Sequence, residues 1–296
     1  MAHIAHPGGP ARIVYLGSPE IAVAPLKALV QAGHEVALVV TNPDRRRGRG
    51  KDLMSTPVKA CAVELGLPVS HVLDDVLGAG AVFGVVVAYG HIIGNEVLEA
   101  LPMVNIHFSL LPRWRGAAPL ERAILAGDQT TGVCLMEIAE ALDEGDVYAR
   151  AEIPIADQTL DELRESLVQA SCDLLVTELR NGLGTPEPQS GDVTYARKLK
   201  SDDFALDFSE PAVQLARVIR LGRAHTTLQG KRFAIKAASV DGEPCNRAPG
   251  SLDGVRVATG HGWLVMETVQ PEGKKPVPAD DWRRGARIDP TTVLSA

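Results

Sequence analysis

The chain has 296 residues, of which 45% are hydrophobic and 23% charged, an ordinary globular composition with room for a large domain and a smaller one. No apolar run approaches the roughly 20 residues of a membrane helix, and the N-terminus lacks the apolar segment of a signal peptide. We therefore expect a cytoplasmic protein without a membrane partner. The four cysteines are scattered and form no C-x-x-C pair, so we predict buried free thiols, no disulfide framework and no metal site.

The positive charge of the chain is concentrated, although the net charge is −7. Residues 1–189 contain 14 Lys and Arg against 24 Asp and Glu, a balance of −10, whereas residues 190–296 contain 16 against 13, a balance of +3. Five basic residues of the first segment fall within the seven positions from Arg45 to Lys51. A nucleic acid therefore remains compatible as a partner despite the acidic average.

The first predicted elements form a βαβ unit. Residues 12–17 are an apolar run that predicts a buried strand. Ser18 as N-cap and Pro19 at the first helical position predict the start of a helix that ends at Gly33. A second apolar run at 35–41 predicts the next strand. Strand, helix and strand at this spacing indicate a parallel sheet of the α/β class.

The following segment, 42–56, is rich in charge, proline and glycine, and predicts a basic loop without regular structure. A helix is expected from Thr56 to about Gly66, since threonine followed by proline is another N-cap signature. The later part of this half predicts three strands and a long amphipathic helix, at residues 81–88, 103–108 and 147–153 for the strands and from about Thr159 for the helix.

The composition changes within 182–192, which is rich in proline and glycine and has few large apolar residues. We place a first domain at 1–189, a linker at 190–205 and a second domain at 206–296. Short apolar runs separated by turns predict a small β-barrel or sandwich in the second domain, at 232–240, 254–260 and 262–269.

Asn105 and His107 stand two positions apart at the end of the predicted strand 103–108, so both side chains point to one face. Ligands of open parallel sheets bind beyond the carboxyl ends of the strands. An amide that can donate to a developing oxyanion and an imidazole that can carry a proton suit acyl-type transfer there. Asp143, in a glycine-containing loop, is a candidate for orienting the imidazole. From spacing alone, a core histidine and a turn-forming aspartate stay open as alternatives.

The segment from Asn105 to Asp146 resembles the signature of the folate-dependent formyltransferase family. It contains Asn-x-His, then Ser-Leu-Leu-Pro-x-aromatic-Arg-Gly, and further on Leu-Asp-x-Gly, in the order of the family. The resemblance implies a Rossmann-like first domain and a smaller OB-like β-barrel, with catalytic residues at Asn105, His107 and Asp143. In the implied mechanism, the amide and the protonated imidazole stabilise the oxyanion, and the carboxylate keeps the imidazole charged.

The same resemblance implies 10-formyltetrahydrofolate as the formyl donor, with no metal and no covalent enzyme intermediate. Three places depart from the family pattern: Phe108 replaces a small residue, 221–225 replaces a proline-rich turn, and the segment before Val85 is short. The first leaves the shape of the formyl pocket open. The residues expected to border the folate are Ser109, Leu110, Leu111, Pro112, Ala88, Tyr89, Gly90 and Ile92.

Members of the family act on glycinamide ribonucleotide, amino sugars or methionyl-tRNA, and the shared signature does not choose among these acceptors. The opening segment 12–23, the basic loop 42–56 and the second domain resemble the members that act on methionyl-tRNA. From composition alone, a solvated charged loop is the alternative at 42–56. Basic side chains on these segments are expected to contact tRNA phosphates, namely Arg45, Arg46, Arg47, Arg49, Lys51, Lys274 and Lys275.

Together these resemblances imply a monomeric enzyme that transfers a formyl group from folate to the amino group of initiator methionyl-tRNA. An amino-sugar nucleotide formyltransferase is the alternative with the same chemistry, and it is expected to lack the basic loop. A non-catalytic RNA-binding protein on this fold is the alternative of another class. Such a protein would have no use for the set of Asn105, His107 and Asp143.

Overall fold

The computed structural model of the chain describes residues 8–46, 53–286, 288–289 and 291–295. The chain divides into two units. The first consists of the chain up to Pro119, Thr130–Pro154 and Arg164–Ala196. The second consists of Leu120–Gln129, Ile155–Leu163 and the chain from Arg197 onward. Every helix within the described ranges is too short or too polar to span a lipid bilayer.

The strands are β1 (Arg12–Gly17), β2 (Glu35–Val40), β3 (Arg45–Arg46), β4 (Leu53–Met54), β5 (Val69–Ser70), β6 (Phe83–Val87), β7 (Met103–His107), β8 (Arg115–Gly116), β9 (Thr130–Glu137), β10 (Val147–Pro154), β11 (Tyr195–Ala196), β12 (His225–Leu228), β13 (Lys231–Asp241), β14 (Leu252–Asp253), β15 (Arg256–Ala258), β16 (Trp263–Pro271) and β17 (Val277–Pro278). The α-helices are α1 (Val23–Gln31), α2 (Pro57–Glu64), α3 (Asn95–Ala100), α4 (Pro119–Ala126), α5 (Leu160–Asn181), α6 (Ala212–Arg220) and α7 (Ala279–Gly285). Short 3-10 helices occupy Glu20–Ala22, Leu73–Gly78 and Ser201–Phe204.

A seven-stranded sheet forms the centre of the first unit, in the order β10-β9-β7-β6-β1-β2-β5. The strands from β5 to β7 are parallel, and β9 and β10 join antiparallel at the other edge. Every residue of β6 is buried, which accounts for its unbroken apolar sequence FGVVV. The α/β class is confirmed, as are the predicted strands at 12–17, 35–41, 81–88, 103–108 and 147–153.

The first helix begins later than the sequence predicts, and Ser18 is not its N-cap. A 3-10 helix at Glu20–Ala22 has Pro19 as its N-cap, and α1 follows directly. The Ser18 hydroxyl instead accepts a hydrogen bond from the Thr41 hydroxyl at 3.2 Å. Because the end of β2 supplies this partner, the Ser18 side chain does not turn back to the helix. The predicted end of the helix at Gly33 is confirmed, with a φ of 87°.

The prediction that 42–56 lacks regular structure is wrong at two places. β3 and β4 pair as a short antiparallel ladder, with Arg46 opposite Leu53. The prolines and glycines that suggested an irregular backbone lie outside the paired positions, so they do not interrupt the ladder. The helix predicted from Thr56 is confirmed as α2, and the Thr56 hydroxyl caps it by accepting from the Lys59 N–H at 3.1 Å.

The stretch that follows α5 runs back along the first unit. Helix α5 begins at Leu160, as predicted, and beyond it Glu187 exchanges two backbone hydrogen bonds with Val147, at 2.9 and 2.8 Å. Strand β11 then pairs in parallel with β8. The segment 190–205, where we place the linker, therefore contains β11 and the 3-10 helix Ser201–Phe204. Main-chain pairing of this kind needs no large apolar side chains, so it cannot be predicted from the composition of the segment.

The second unit contains an antiparallel sheet in the order β12-β13-β16-β15-β14, with β17 on β16. Residues near the C-terminus connect the two edges of this sheet. Ser295 bridges Thr227 of β12, and Val293 bridges Ser251 just before β14. The sheet thereby closes into a β-barrel, and the predicted strands at 232–240, 254–260 and 262–269 are confirmed within it as β13, β15 and β16.

Helix α6 covers the core of the barrel and is an element that the sequence analysis did not predict. Its buried side chains Leu215, Val218 and Ile219 recur at helical spacing, a signal that was available in the sequence. They pack with apolar residues of the barrel strands and of α7, including Phe233, Ile235, Leu264, Met266, Val269 and Ala279. The second unit therefore has a hydrophobic core of its own.

All four cysteines are free thiols, but only two of them are buried. Cys61 and Cys134 are buried, whereas Cys172 and Cys245 are partly exposed. The expectation of four buried cysteines is therefore wrong for the latter pair, since Cys172 on α5 and Cys245 in the loop after β13 are only partly buried. Burial raises the pKa of the Cys134 thiol above its ordinary value, so this thiol is held in its unreactive form.

Candidate active site

The end of β7 places Asn105 and His107 on one face of the sheet. β7 lies between β6 and β9, with Asn105 opposite Val86 on one side and Met136 on the other. His107 is only 6% exposed, whereas Asn105 is half-buried. The pair therefore lies at the carboxyl end of an interior strand, which is the position that the sequence predicts.

The imidazole of His107 lies between two hydrogen-bond acceptors. Its Nδ1 is 3.5 Å from Oδ2 of Asp143, and its Nε2 is 2.9 Å from the backbone oxygen of Trp114. A carbonyl oxygen cannot donate, so Nε2 carries a hydrogen towards it, while Nδ1 faces a carboxylate. The side chains of His107 and Asp143 are 7% and 11% exposed, so solvent screens their interaction little.

Asp143 forms the turn of its loop and contacts the imidazole at the same time. Its backbone is left-handed, with a φ of 56°, a conformation that aspartate adopts more readily than most residues. Its Oδ2 also accepts a hydrogen bond from the Gly116 N–H at 2.7 Å. The two alternatives that spacing left open, a turn former and a partner of His107, are therefore combined in one residue.

Two residues that the sequence analysis did not single out hold the Asp143 loop. The Gln189 Nε2 donates to the backbone oxygens of Asp143 and Gly145, at 2.8 Å each. The Arg115 guanidinium donates to Gln189 Oε1 at 3.1 and 2.8 Å, and to Glu144 Oε1 at 2.7 Å. Gln189 stands in the proline-rich stretch after α5, where composition suggested a linker. In the sequence, Arg115 is marked only by the Arg-Gly pair of the family signature.

The residues expected beside the folate after β7 form a tight turn. Ser109 is fully buried, and its hydroxyl donates to the backbone oxygen of Arg113 at 2.6 Å. Leu111 is also buried, and its peptide bond to Pro112 is cis. Leu110 is half-buried. The turn continues β7 directly, so it lies at the same edge of the sheet as His107.

The residues expected beside the folate after β6 form a second turn. Ala88 and Gly90 are exposed and left-handed, with φ values of 48° and 81°. Tyr89 is buried between them, whereas Ile92 is 91% exposed. Because β6 and β7 are parallel neighbours, the two turns leave the sheet at adjacent carboxyl ends. The structure therefore brings both predicted groups to the edge that holds Asn105 and His107.

The predicted tRNA-binding residues lie in two separate places along the chain. Arg45 and Arg46 are exposed on β3. Lys274 and Lys275 are exposed in the turn between β16 and β17 of the second unit. The remaining three residues fall outside the described part of the chain, namely Arg47, Arg49 and Lys51.

The sequence matches the models of two protein families. The one described as Formyl transferase matches residues 11–179, and the one described as Formyl transferase, C-terminal domain, matches residues 198–287. The chain belongs to the formyl transferase family. The first match contains Asn105, His107 and Asp143, and the second lies within the unit that contains the β-barrel.

Relatives of this formyl transferase include enzymes that share nearly its whole length. The methionyl-tRNA formyltransferase of Roseiflexus sp. (strain RS-1) is 42% identical over 304 residues, which cover 94% of each chain. The methionyl-tRNA formyltransferase of Halorhodospira halophila is 42% identical over 307 residues, which cover 95% of this chain and 98% of that one.

A solved structure with the same fold is the N-formyltransferase from Helicobacter canadensis in complex with folinic acid and dTDP-3-aminofucose. It is 15% identical, with a TM-score of 0.67, and the match covers 86% of this chain and 99% of that one. At this identity the comparison supports the fold only. The family is folate-dependent, and this structural relative is bound to a folate derivative.

Proposed function

We propose that this formyl transferase moves the formyl group of 10-formyltetrahydrofolate to the amino group of initiator methionyl-tRNA. The observation that carries the proposal is the 42% identity, over nearly the full length of both chains, to relatives named for this activity. The enzyme acts as a monomer in the cytoplasm, where translation begins. Residues 1–189 form its catalytic domain, 190–205 the linker and 206–296 a domain that contributes to tRNA binding.

Asn105 and His107 stabilise the negative charge that develops on the formyl oxygen when the amine attacks the formyl carbon. His107 acts in its protonated form, with the Nδ1 hydrogen directed to Asp143. The 3.5 Å separation of Nδ1 and Oδ2 and the low exposure of both side chains support this role. To donate its other hydrogen to the substrate oxygen, the ring exchanges the Trp114 carbonyl for the substrate at Nε2.

The proton balance of the transfer closes without a covalent enzyme intermediate. The amine loses one proton as its nitrogen becomes an amide, and the departing folate nitrogen gains one as its bond to the formyl carbon breaks. The imidazolium of His107 gives a proton to the departing folate nitrogen and then takes up the proton that the amine loses, directly or through water, so that it returns to the imidazolium form. Asp143 keeps the ring in one orientation throughout, so that the same nitrogen faces the reacting atoms.

The folate lies against the two turns that follow β6 and β7. The residues proposed to border it are Ser109, Leu110, Leu111, Pro112, Ala88, Tyr89, Gly90 and Ile92. Support comes from topology, because both turns leave adjacent strands at the edge that carries the three catalytic residues. Bound folate supplies the activated formyl group.

Basic side chains bind the phosphates of the acceptor tRNA. Arg45 and Arg46 on β3 and Lys274 and Lys275 after β16 are exposed, as phosphate contacts must be. Arg47, Arg49 and Lys51 complete the basic loop. Main-chain pairing of β3 with β4 presents Arg45 and Arg46 on a defined ladder, which favours a binding element over a freely solvated loop.

An amino-sugar nucleotide formyltransferase is the alternative, because a relative of that kind shares the fold. At 15% identity that relative carries no argument about the acceptor. This chain also contains the basic segment 42–56, which such an enzyme is expected to lack. Methionyl-tRNA is therefore the better-supported acceptor.

The test is to incubate the enzyme and 10-formyltetrahydrofolate, labelled in the formyl group, with one acceptor at a time. The acceptors are charged initiator tRNA, uncharged initiator tRNA and a dTDP-linked amino sugar. We expect label on the charged tRNA alone. Label on the amino sugar and not on the tRNA would establish the alternative.

A further inference from the structure

The position of the Asp143 carboxylate depends on a loop whose backbone is held from outside by one amide side chain. Gln189 donates both hydrogens of its Nε2, one to the oxygen of Asp143 and one to the oxygen of Gly145, at 2.8 Å each. These two carbonyls flank Glu144 on the chain, so Gln189 holds the backbone of the loop on both sides of Glu144. The loop backbone cannot turn at Asp143 without breaking one of these bonds.

A buried arginine fixes the orientation of that amide. Arg115 Nε and Nη2 both donate to Gln189 Oε1, at 3.1 and 2.8 Å, and Nη1 donates to Glu144 Oε1 at 2.7 Å. Arg115 is 8% exposed. Because the oxygen of Gln189 accepts from a group that cannot accept in return, the amide nitrogen must face the loop. A flipped amide would lose all four bonds.

The chain segment that carries Gln189 is fastened independently of this side chain. Glu187 pairs with Val147 through two backbone hydrogen bonds, at 2.9 and 2.8 Å. The Arg115 N–H donates to the Thr194 oxygen at 2.9 Å, where β8 meets β11. Loss of the Gln189 amide would therefore leave the segment in place and release the loop alone.

From this geometry we propose that Gln189 is a positioning residue for formyl transfer, and that Arg115 acts through it. Gln189 holds the backbone of 143–145 so that Asp143 Oδ2 faces both His107 Nδ1 and the Gly116 N–H. It contacts neither substrate and contributes only through the imidazole. This inference rests on the proposed role of Asp143 in catalysis.

The decisive variant is Gln189→Met, which keeps the length of the side chain and removes its hydrogen bonds. Because misplacement of a catalytic group by about 1 Å lowers turnover up to about 100-fold, we expect kcat to fall by about 10- to 100-fold. We expect KM for tRNA and for folate to stay within about twofold, since no substrate contact is lost. Gln189→Glu should behave in the same way, because a carboxylate keeps the contact with Arg115 but has no hydrogen for the loop.

Three controls accompany these variants. Gln169→Met changes an exposed glutamine on α5 and should keep the parent kcat. The ¹⁵N spectrum of the His107 ring, assigned with His107→Gln, should show a shifted Nδ1 signal in Gln189→Met, a change that general loosening of the fold would not confine to this ring. Asp143→Asn tests the underlying site and should lose activity.

The outcomes separate the two ideas. A kcat within twofold of the parent in Gln189→Met, with Asp143→Asn inactive, overturns the role of Gln189 and leaves the proposed site standing. A lower kcat that follows a lower unfolding temperature, with an unchanged Nδ1 signal, also overturns it and assigns Gln189 to stability. If Asp143→Asn keeps the activity of the parent enzyme, the proposed catalytic site is itself wrong. A selective loss of kcat with a shifted Nδ1 signal establishes the positioning role.

Discussion

The side-chain hydroxyls of Thr41 and Thr56 share a hydrogen bond of 2.7 Å at the base of the basic segment 42–56. Thr41 directly follows β2 and is 1% exposed, while Thr56 is the N-cap of α2 and is 7% exposed. Thr41 also donates to the Ser18 hydroxyl, so Thr56 is the donor in the shared bond. The two ends of the segment are thus joined by neutral, buried hydroxyl groups. This contact does not depend on what the basic side chains of the segment bind.

We expect Thr56→Ala to lower the free energy of unfolding by about 1–3 kcal/mol, because it removes both the cap of α2 and the donor to buried Thr41. Thr56→Ser keeps both hydrogen bonds and should lie within about 1 kcal/mol of the parent. Urea unfolding measures both values. Thr177→Ala, an exposed position on α5, is the matched control. Equal stability of the two alanine variants would mean that the hydroxyl contact contributes nothing.

His107→Ala should reduce kcat by about 10²–10⁴-fold, the usual contribution of a positioned acid or base. The far-UV circular dichroism spectrum should not change, since the strand pairing of β7 is made by backbone groups. Formyl transfer to charged initiator tRNA is the assay. Turnover within a few-fold of the parent would remove His107 from the mechanism.

Replacing Arg45 and Arg46 together by alanine should weaken tRNA binding and its dependence on salt. Each lost phosphate contact on a duplex stem lowers the slope of log K against log salt by about 0.9, so the slope should fall by about 2. KM for folate should stay the same, because β3 carries none of the residues proposed to border the folate. Arg180→Ala, an exposed cation on α5, serves as the control. An unchanged slope would mean that 42–56 is a solvated charged loop that does not bind tRNA phosphates.

Gly145→Ala should distort the Asp143 loop. A Cβ at Gly145 would lie 2.1 Å from the backbone oxygen of Glu137, so the loop must move. We expect a loss of about 1–3 kcal/mol in the free energy of unfolding, which is typical of overpacking, together with a lower kcat. Gly184→Ala has open space around its Cβ and is the matched control for both measurements. If both variants keep the parent kcat, the loop tolerates displacement and its geometry is not critical.

Local patterns in the sequence were sufficient for five strands of the seven-stranded sheet and for the face on which Asn105 and His107 stand. The apolar run of β6 requires cover on both sides, and the spacing of Asn105 and His107 requires one face, because side chains alternate along any strand. The cap of α2 was also predicted from Thr56 and the proline that follows it. Each of these features follows from residues that lie close together in the sequence.

Other features depended on partners that are distant in the chain. Ser18 has the sequence of a helix cap, but Thr41 lies close enough to take its hydroxyl. Gln189 stands in a stretch that reads as a linker, yet it holds the loop of Asp143. The C-terminal residues close the barrel through Ser295 and Val293, which no strand pattern marks.

The sequence by itself therefore determined the α/β class, most of the apolar strands, the family signature they carry and the residues that stand at the end of β7. Only the tertiary structure decided which acceptors face the two nitrogens of His107, and which side chain holds the Asp143 loop. The physical reason is the range of the interactions. Hydrophobic periodicity and backbone capping act within a few residues, whereas a hydrogen bond between Gln189 and the oxygen of Asp143 exists only once folding has brought two remote segments within 2.8 Å.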